Sequence, residues 1–189
     1  MVHDFWKSYL GYEGPHALCN QHLLRELKFL FEEQHQAWAG KLAELLNEFL
    51  RLSKADPAPD QKLLEKCFRR YHSLLEEARL QNPRRDKRPG RGKQSKACNL
   101  LERLENYDQC VLAFLCDPQV PFTNKQAEQD IRMVKVKQKI SGCFRTLAGA
   151  RIFARVRGFL STARKQGRQL MKSLVEALRG DPFVPAPVT

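Results

Sequence analysis

Isoleucine is nearly missing from this chain: three in 189 residues, with nine valines against twenty-six leucines. So few β-branched residues exclude an all-β protein and favour helix. No run of about 18 apolar residues occurs, which excludes a membrane-spanning helix. The opening MVHDFWKSYL lacks the basic segment and apolar core of a secretory signal. No Cys-x-x-Cys pair appears among the six cysteines, whose spacing is irregular. They therefore read as reduced thiols of a cytosolic protein rather than as a disulfide framework. Acid is scarce where base is abundant. Residues 123–172 hold 13 Lys and Arg against Glu128 and Asp130, which is +11 of a total net charge of +12. The stretch 82–96 adds a second basic run of +6. Concentrated positive charge with few acids is a poor pattern for mere solubility, and it points to a polyanion such as DNA.

What is present is leucine at helical spacing. From His16 to about Leu52, Leu24, Phe31, Trp38, Leu45 and Leu52 recur every seventh residue, which predicts one long helix with a heptad seam interrupted at Gln34. Ala55 to Pro59 breaks the chain. A second helix follows with Leu64, Cys67, Tyr71, Leu74 and Ala78 on one face, so the pair reads as an antiparallel hairpin. The 82–96 stretch reads as a linker. A third helix is expected over 97–116. Thr123 is expected to cap a fourth, with Gln126 as its partner, interrupted at Ser141-Gly142. A fifth is expected over 147–165 with Ile152, Val156, Phe159 and Ala163 inward. Gly167 then breaks the chain, a last helix ends at Arg179-Gly180, and the tail FVPAPVT reads as loose. The fold class expected is mainly α: a helical hairpin followed by C-terminal helices.

Three groups of residues could carry chemistry. His16, Cys19 and His22 stand at i, i+3 and i+6, where zinc would still need a fourth ligand; polar edge positions of a packed helix explain them as well. Asp4 could be a simple N-cap. Glu128, early in its helix, could merely favour the helix dipole. Yet Glu128 lies in the most basic part of the chain, and a carboxylate beside a phosphate-binding surface is what a divalent-metal phosphoryl-transfer site requires.

These residues carry a family resemblance. Asn124 to Arg132, continued by Met133-Val134-Lys135-Val136-Lys137-Gln138-Lys139-Ile140-Ser141-Gly142-Cys143-Phe144-Arg145, resembles the C-terminal signature of the insertion sequence 66 family of bacterial transposases. His3-Asp4-Phe5-Trp6-Lys7-Ser8-Tyr9, then His16 to Leu27, resembles that family's central region. Ala154 to Gln169, with Gly158-Phe159-Leu160-Ser161-Thr162-Ala163, is similar too. The likeness departs at Thr123-Asn124-Lys125, where the family has Asp-Asn-Asn, and at Gln129, where it often has Arg.

The resemblance implies an RNase H-like (α/β) catalytic domain of the DDE type, with three acids that bind two Mg²⁺ or Mn²⁺ ions and drive DNA strand cleavage and transfer. Asp4 matches the second acid and Glu128 the third. The first has no counterpart, so the chain is expected to be a C-terminal part of the catalytic region that lacks the early strands and is inactive alone. On this reading 1–15 is the end of the strand region and 16–120 a helical insertion with the basic linker 82–96. Residues 121–180 carry the third acid and the DNA-facing surface, and 181–189 is a tail. Lys135, Lys137, Lys139 and Arg145, with Arg132, are the expected phosphate contacts. The expected partners are transposon-end DNA and either a second copy or the missing N-terminal part, in a cytoplasmic, nucleoid-associated protein without membrane contact. Two rivals are a non-catalytic helical DNA-binding protein and a helical-hairpin interaction module on 16–80, with Phe31 and Trp38 serving a partner.

Overall fold

The computed structural model describes residues 1–84 and 94–186. Most of the basic stretch 82–96, read above as a linker, lies outside the described residues. The chain divides into two compact units, Met1–Asn124 and Lys125–Thr189.

The first unit opens with β1 (Val2–His3), a 3-10 turn over Lys7–Gly11, and β2 (Ala17–Leu18). The two strands pair in parallel, Val2 opposite Ala17 and His3 opposite Leu18. Five helices follow: α1 (Asn20–Gln34), α2 (Ala37–Ala55), α3 (Gln61–Gln81), α4 (Lys96–Asn106) and α5 (Asp108–Cys116).

The expected single helix from His16 to Leu52 is two helices, α1 and α2. The break comes at His35, which turns into the left-handed region at φ 51°, with Gln36 extended behind it. The N–H of Gln36 donates to the carbonyl of Leu30 and closes the end of α1. Because the helix ends there, α1 folds back onto α2 and the heptad seam dissolves. The buried face of α1 is Asn20, Leu23, Leu27 and Leu30 rather than Leu24 and Phe31. Phe31 is exposed, its ring lying against Gly40, where even a Cβ would come within 2.9 Å of it. Trp38 is wholly buried among the chain's own leucines, and its indole N–H is held by the Gln36 Oε1 at 2.8 Å. That burial weakens the interaction-module reading, in which Trp38 and Phe31 serve a partner.

α2 and α3 pack together across the Asp56–Asp60 connection, as the hairpin expectation required. Asp60 caps α3 by accepting from the Leu63 N–H at 2.7 Å, and Ser95 caps α4 by accepting from the Cys98 N–H at 3.0 Å. The expected third helix is likewise two: Tyr107, at φ −130° and ψ 30°, separates α4 from α5. One core joins all five helices, with Trp38, Phe49, Tyr71, Leu101, Leu104 and Leu112 fully enclosed. Burying each large apolar side chain contributes about 1.5–3 kcal/mol. The described cysteines form no disulfide.

The second unit holds α6 (Lys125–Ser141), α7 (Leu147–Lys165) and α8 (Leu170–Leu178). Gly142, Gly167 and Gly180 all take positive φ and punctuate the helices where the sequence indicated. α6 begins at Lys125, so Asn124 rather than Thr123 stands before its first residue. Thr146 caps α7, its hydroxyl accepting from the Gly149 N–H at 3.0 Å. Burial here is slight: Ala163 and Ser173 are the buried residues among the described residues of this unit. Ile152 and Val156, expected to face inward, are 64% and 46% exposed. The helical spacing placed them on one face, and no element among the described residues of this unit covers that face. The tail is tied down as far as Ala186. Phe183 packs on Phe159 with ring centroids 4.7 Å apart, the Arg168 guanidinium lies 4.6 Å from the Phe183 ring, and the Gln166 Nε2 donates to the Ala186 carbonyl.

Candidate nucleic-acid interface and acid residues

Asp4 follows β1 directly and is half-buried. Its Oδ1 accepts from the Trp6 N–H at 3.3 Å, which bends the chain into the 3-10 turn. Its Oδ2 has no partner among the described residues, so the carboxylate keeps an open oxygen. The backbone of Asp4 is fixed from the other side. The Nδ1 of His3 donates to the Asp4 carbonyl at 2.5 Å, and the Nε2 of His3 is hydrogen-bonded to the Nδ1 of His16 at 2.8 Å. The Nε2 of His16 in turn donates to the Tyr12 carbonyl at 2.8 Å. Both ring nitrogens of His16 are thus committed, which sets His16 apart from Cys19 and His22.

Cys19 is buried, with its Sγ accepting from the Asn124 backbone N–H at 3.3 Å. Next to it the Asn20 backbone N–H donates to the Phe122 carbonyl at 3.0 Å. The segment that leads into α6 is therefore stitched to the start of α1 inside the first unit. The sequence singled out Cys19 as a possible metal ligand, and its Sγ also takes up a backbone hydrogen bond. The His3–His16 link was missed, because thirteen positions separate two histidines that pairing of β1 with β2 brings together.

Glu128 stands exposed in the first turn of α6. At 3.6 residues per turn, positions 128, 132, 135 and 139 fall on one stripe. Glu128 is therefore followed along the helix by Arg132, Lys135 and Lys139, all three exposed and without an ion pair among the described residues. Lys137 sits roughly 140° around the helix from Arg132 and is half-buried. Arg145 lies in the loop between α6 and α7, exposed. The other acid of this unit's basic stretch is Asp130. Its carboxylate accepts from the Lys165 ammonium at 2.6 Å, the Ser161 hydroxyl at 2.8 Å and the Gln126 amide at 3.3 Å. The Lys165 bond, and then the Ser161 bond, hold its acid below the ordinary carboxylate range. One acid thus clasps α6 to α7, while the other shares its stripe with three cations.

No described helix is long and apolar enough to cross a membrane. No curated protein and no solved structure matches the chain. A model of the transposase IS66 family matches residues 1–152, which takes in both strands, all of α1 to α6 and the first turn of α7. The chain belongs to the IS66 family of transposases, whose substrate is DNA and whose chemistry uses divalent metal.

Proposed function

We propose that this chain is the C-terminal part of the catalytic region of a DDE-type DNA transposase, with Asp4 and Glu128 as its second and third acids. The observation that carries the reading is the stripe on α6. A carboxylate at its N-terminal end is followed by Arg132, Lys135 and Lys139 at one-turn intervals, as a helix would be laid out to meet a metal at one end and a phosphate backbone along its length. Arg145 continues the positive surface past the end of the helix, and Lys137 adds charge on another face. Asp4 suits a hard cation such as Mg²⁺ or Mn²⁺, because its Oδ2 is open and its backbone is pinned by His3. When bound, such ions would activate an attacking hydroxyl and stabilise a leaving oxygen in strand cleavage and transfer. The two-stranded parallel ladder also supports the reading. A parallel pair this small needs further strands beside it, and an RNase H-like sheet completed by other segments, including the first acid, would supply them. Action on DNA would place the protein in the cytoplasm with the nucleoid.

The test is duplex DNA binding across a salt series. Replacing Arg132, Lys135 and Lys139 together by Ala should lower the slope of log K against log salt by roughly 2.7, near 0.9 for each lost phosphate contact. An unchanged slope with a folded protein would sink the assignment. A non-catalytic DNA-binding protein would give the same slope, so Asp4 is tested separately by metal binding.

A further inference from the structure

Resting on DNA as the partner, we propose that the groove between α1 and α4 holds an unpaired nucleotide of a DNA strand. The groove is about 510 Å³, within the range of sites that enclose a small ligand. Leu30 and Leu100, both buried, form its floor. Phe29 forms one wall and is 39% exposed, an aromatic ring left at the surface. The Lys96 ammonium lies 4.4 Å from the centroid of that ring. Arg25 and Asn99 complete the rim, both exposed.

The charges at this groove are not equivalent. Glu26 accepts a two-point hydrogen bond from Arg103, whose guanidinium also lies 4.9 Å from the Phe5 ring. That pair cancels itself. Arg25 has no hydrogen bond or ion pair among the described residues, and Lys96 makes only its ring contact. Two cations are therefore left over beside an apolar floor and an aromatic ring. A planar, apolar-faced group carrying negative charge matches all three features, and a nucleotide has that chemistry: the base against Phe29 and the leucines, the phosphate on Arg25 and Lys96. Asn99 offers the paired donor and acceptor that a base edge can read. Bases in a duplex have their faces covered by stacking, so the occupant is single-stranded.

The experiment uses the full chain, a labelled twelve-residue oligo-dT and a hairpin duplex, with affinity read by fluorescence anisotropy. Phe29→Ala should weaken oligo-dT binding about tenfold, the scale of one lost base–aromatic stack, and leave duplex affinity unchanged. Arg25→Ala with Lys96→Ala should weaken oligo-dT and flatten its salt dependence. Phe29→Trp should bind oligo-dT as the parent does, with the new indole quenched on saturation. Because position 29 is part-exposed, these variants should fold, and circular dichroism checks it. If oligo-dT affinity is the same in Phe29→Ala and the indole at position 29 is not quenched, the proposal is overturned. Quenching by an acidic tyrosine-containing peptide but not by oligo-dT also overturns it, in favour of a protein partner. Loss of all duplex binding by the parent chain would instead fell the transposase reading beneath it.

Discussion

The side-chain amide of Asn20 donates to the carbonyl of Val111 at 3.0 Å, joining the first turn of α1 to the first turn of α5 across ninety-one positions. Asn20 is 1% exposed, and its backbone N–H holds Phe122 as well. One residue thus ties together α1, α5 and the segment around Phe122. Asn20→Ala leaves the Val111 carbonyl buried without this donor and should cost about 1–3 kcal/mol. Asn20→Asp should cost more, because it sets a buried carboxylate against a carbonyl oxygen. Urea unfolding of the three proteins checks the order.

Tyr71 makes a comparable bond between α3 and α4. Its hydroxyl donates to the Leu104 carbonyl at 3.1 Å, in the last turn of α4, where carbonyls lack helical partners. Burial, and secondarily the charges of Asp108 and Glu105, push the phenol well above its ordinary range. The sign follows from the raised value. The stabilisation is fully present below the ordinary phenol range near 10 and is lost as the pH climbs above it, because only the unfolded chain then ionises readily. Tyr71→Phe should lower stability by about 1 kcal/mol at neutral pH and remove part of the alkaline fall in the urea midpoint. An equally steep fall in the variant would count against this role for Tyr71.

Asp130 gives the opposite sign in the other unit. Its acid is held low by Lys165 and Ser161, so the clasp between α6 and α7 is in place above the ordinary aspartate range. It is lost as the pH falls through the lowered native value. Amide protection across 126–141, corrected for the intrinsic exchange rate, should fall in acid in the parent chain. In Asp130→Asn it should be lower already at neutral pH and change less on acidification.

Metal binding separates the two acids from a coincidence of sequence. Mn²⁺ should broaden the amide resonances around His3 to Phe5, and Asp4→Asn should abolish that broadening without unfolding β1, since the Trp6 N–H can still be accepted by the amide oxygen. Glu128→Gln should remove broadening in the first turn of α6. Broadening that survives in Asp4→Asn would reassign that metal ligand.

Much of the helical framework was legible in the sequence because its boundaries are written in local chemistry. Gly142, Gly167 and Gly180 between helices each act through their own backbone. The break at His35 was not legible. Nothing local forbids a helix there, and a residue other than glycine takes the left-handed turn because α1 gains its packing by folding back on α2. Leu24, Phe31 and Trp38 kept heptad spacing straight through that turn, so the pattern looked continuous. The exposure of Ile152 and Val156 was equally hidden, since periodicity shows which face is apolar and not what covers it. Of the proposed acids, Asp4 was visible only through the family resemblance and Glu128 also through its place in the most basic part of the chain, whereas the positive charge of α6 was plain from composition. The groove at Phe29 was invisible, because Lys96 reaches that ring from sixty-seven positions away.

The stripe on α6 makes a finer prediction than its total charge does. Lys139 shares a face with Arg132 and Lys135, while Lys137 points elsewhere and is half-buried. If the helix meets the phosphate backbone along that face, Lys139→Ala should cut duplex affinity and reduce the salt slope by about 0.9. Lys137→Ala, with the same loss of charge, should leave the slope nearly unchanged. The pair controls for net charge, because both variants lose one lysine from the same helix. Equal losses in the two would mean that α6 acts as a diffuse positive rod, and the alignment of Glu128 with the three cations would then have no bearing on how the chain holds DNA.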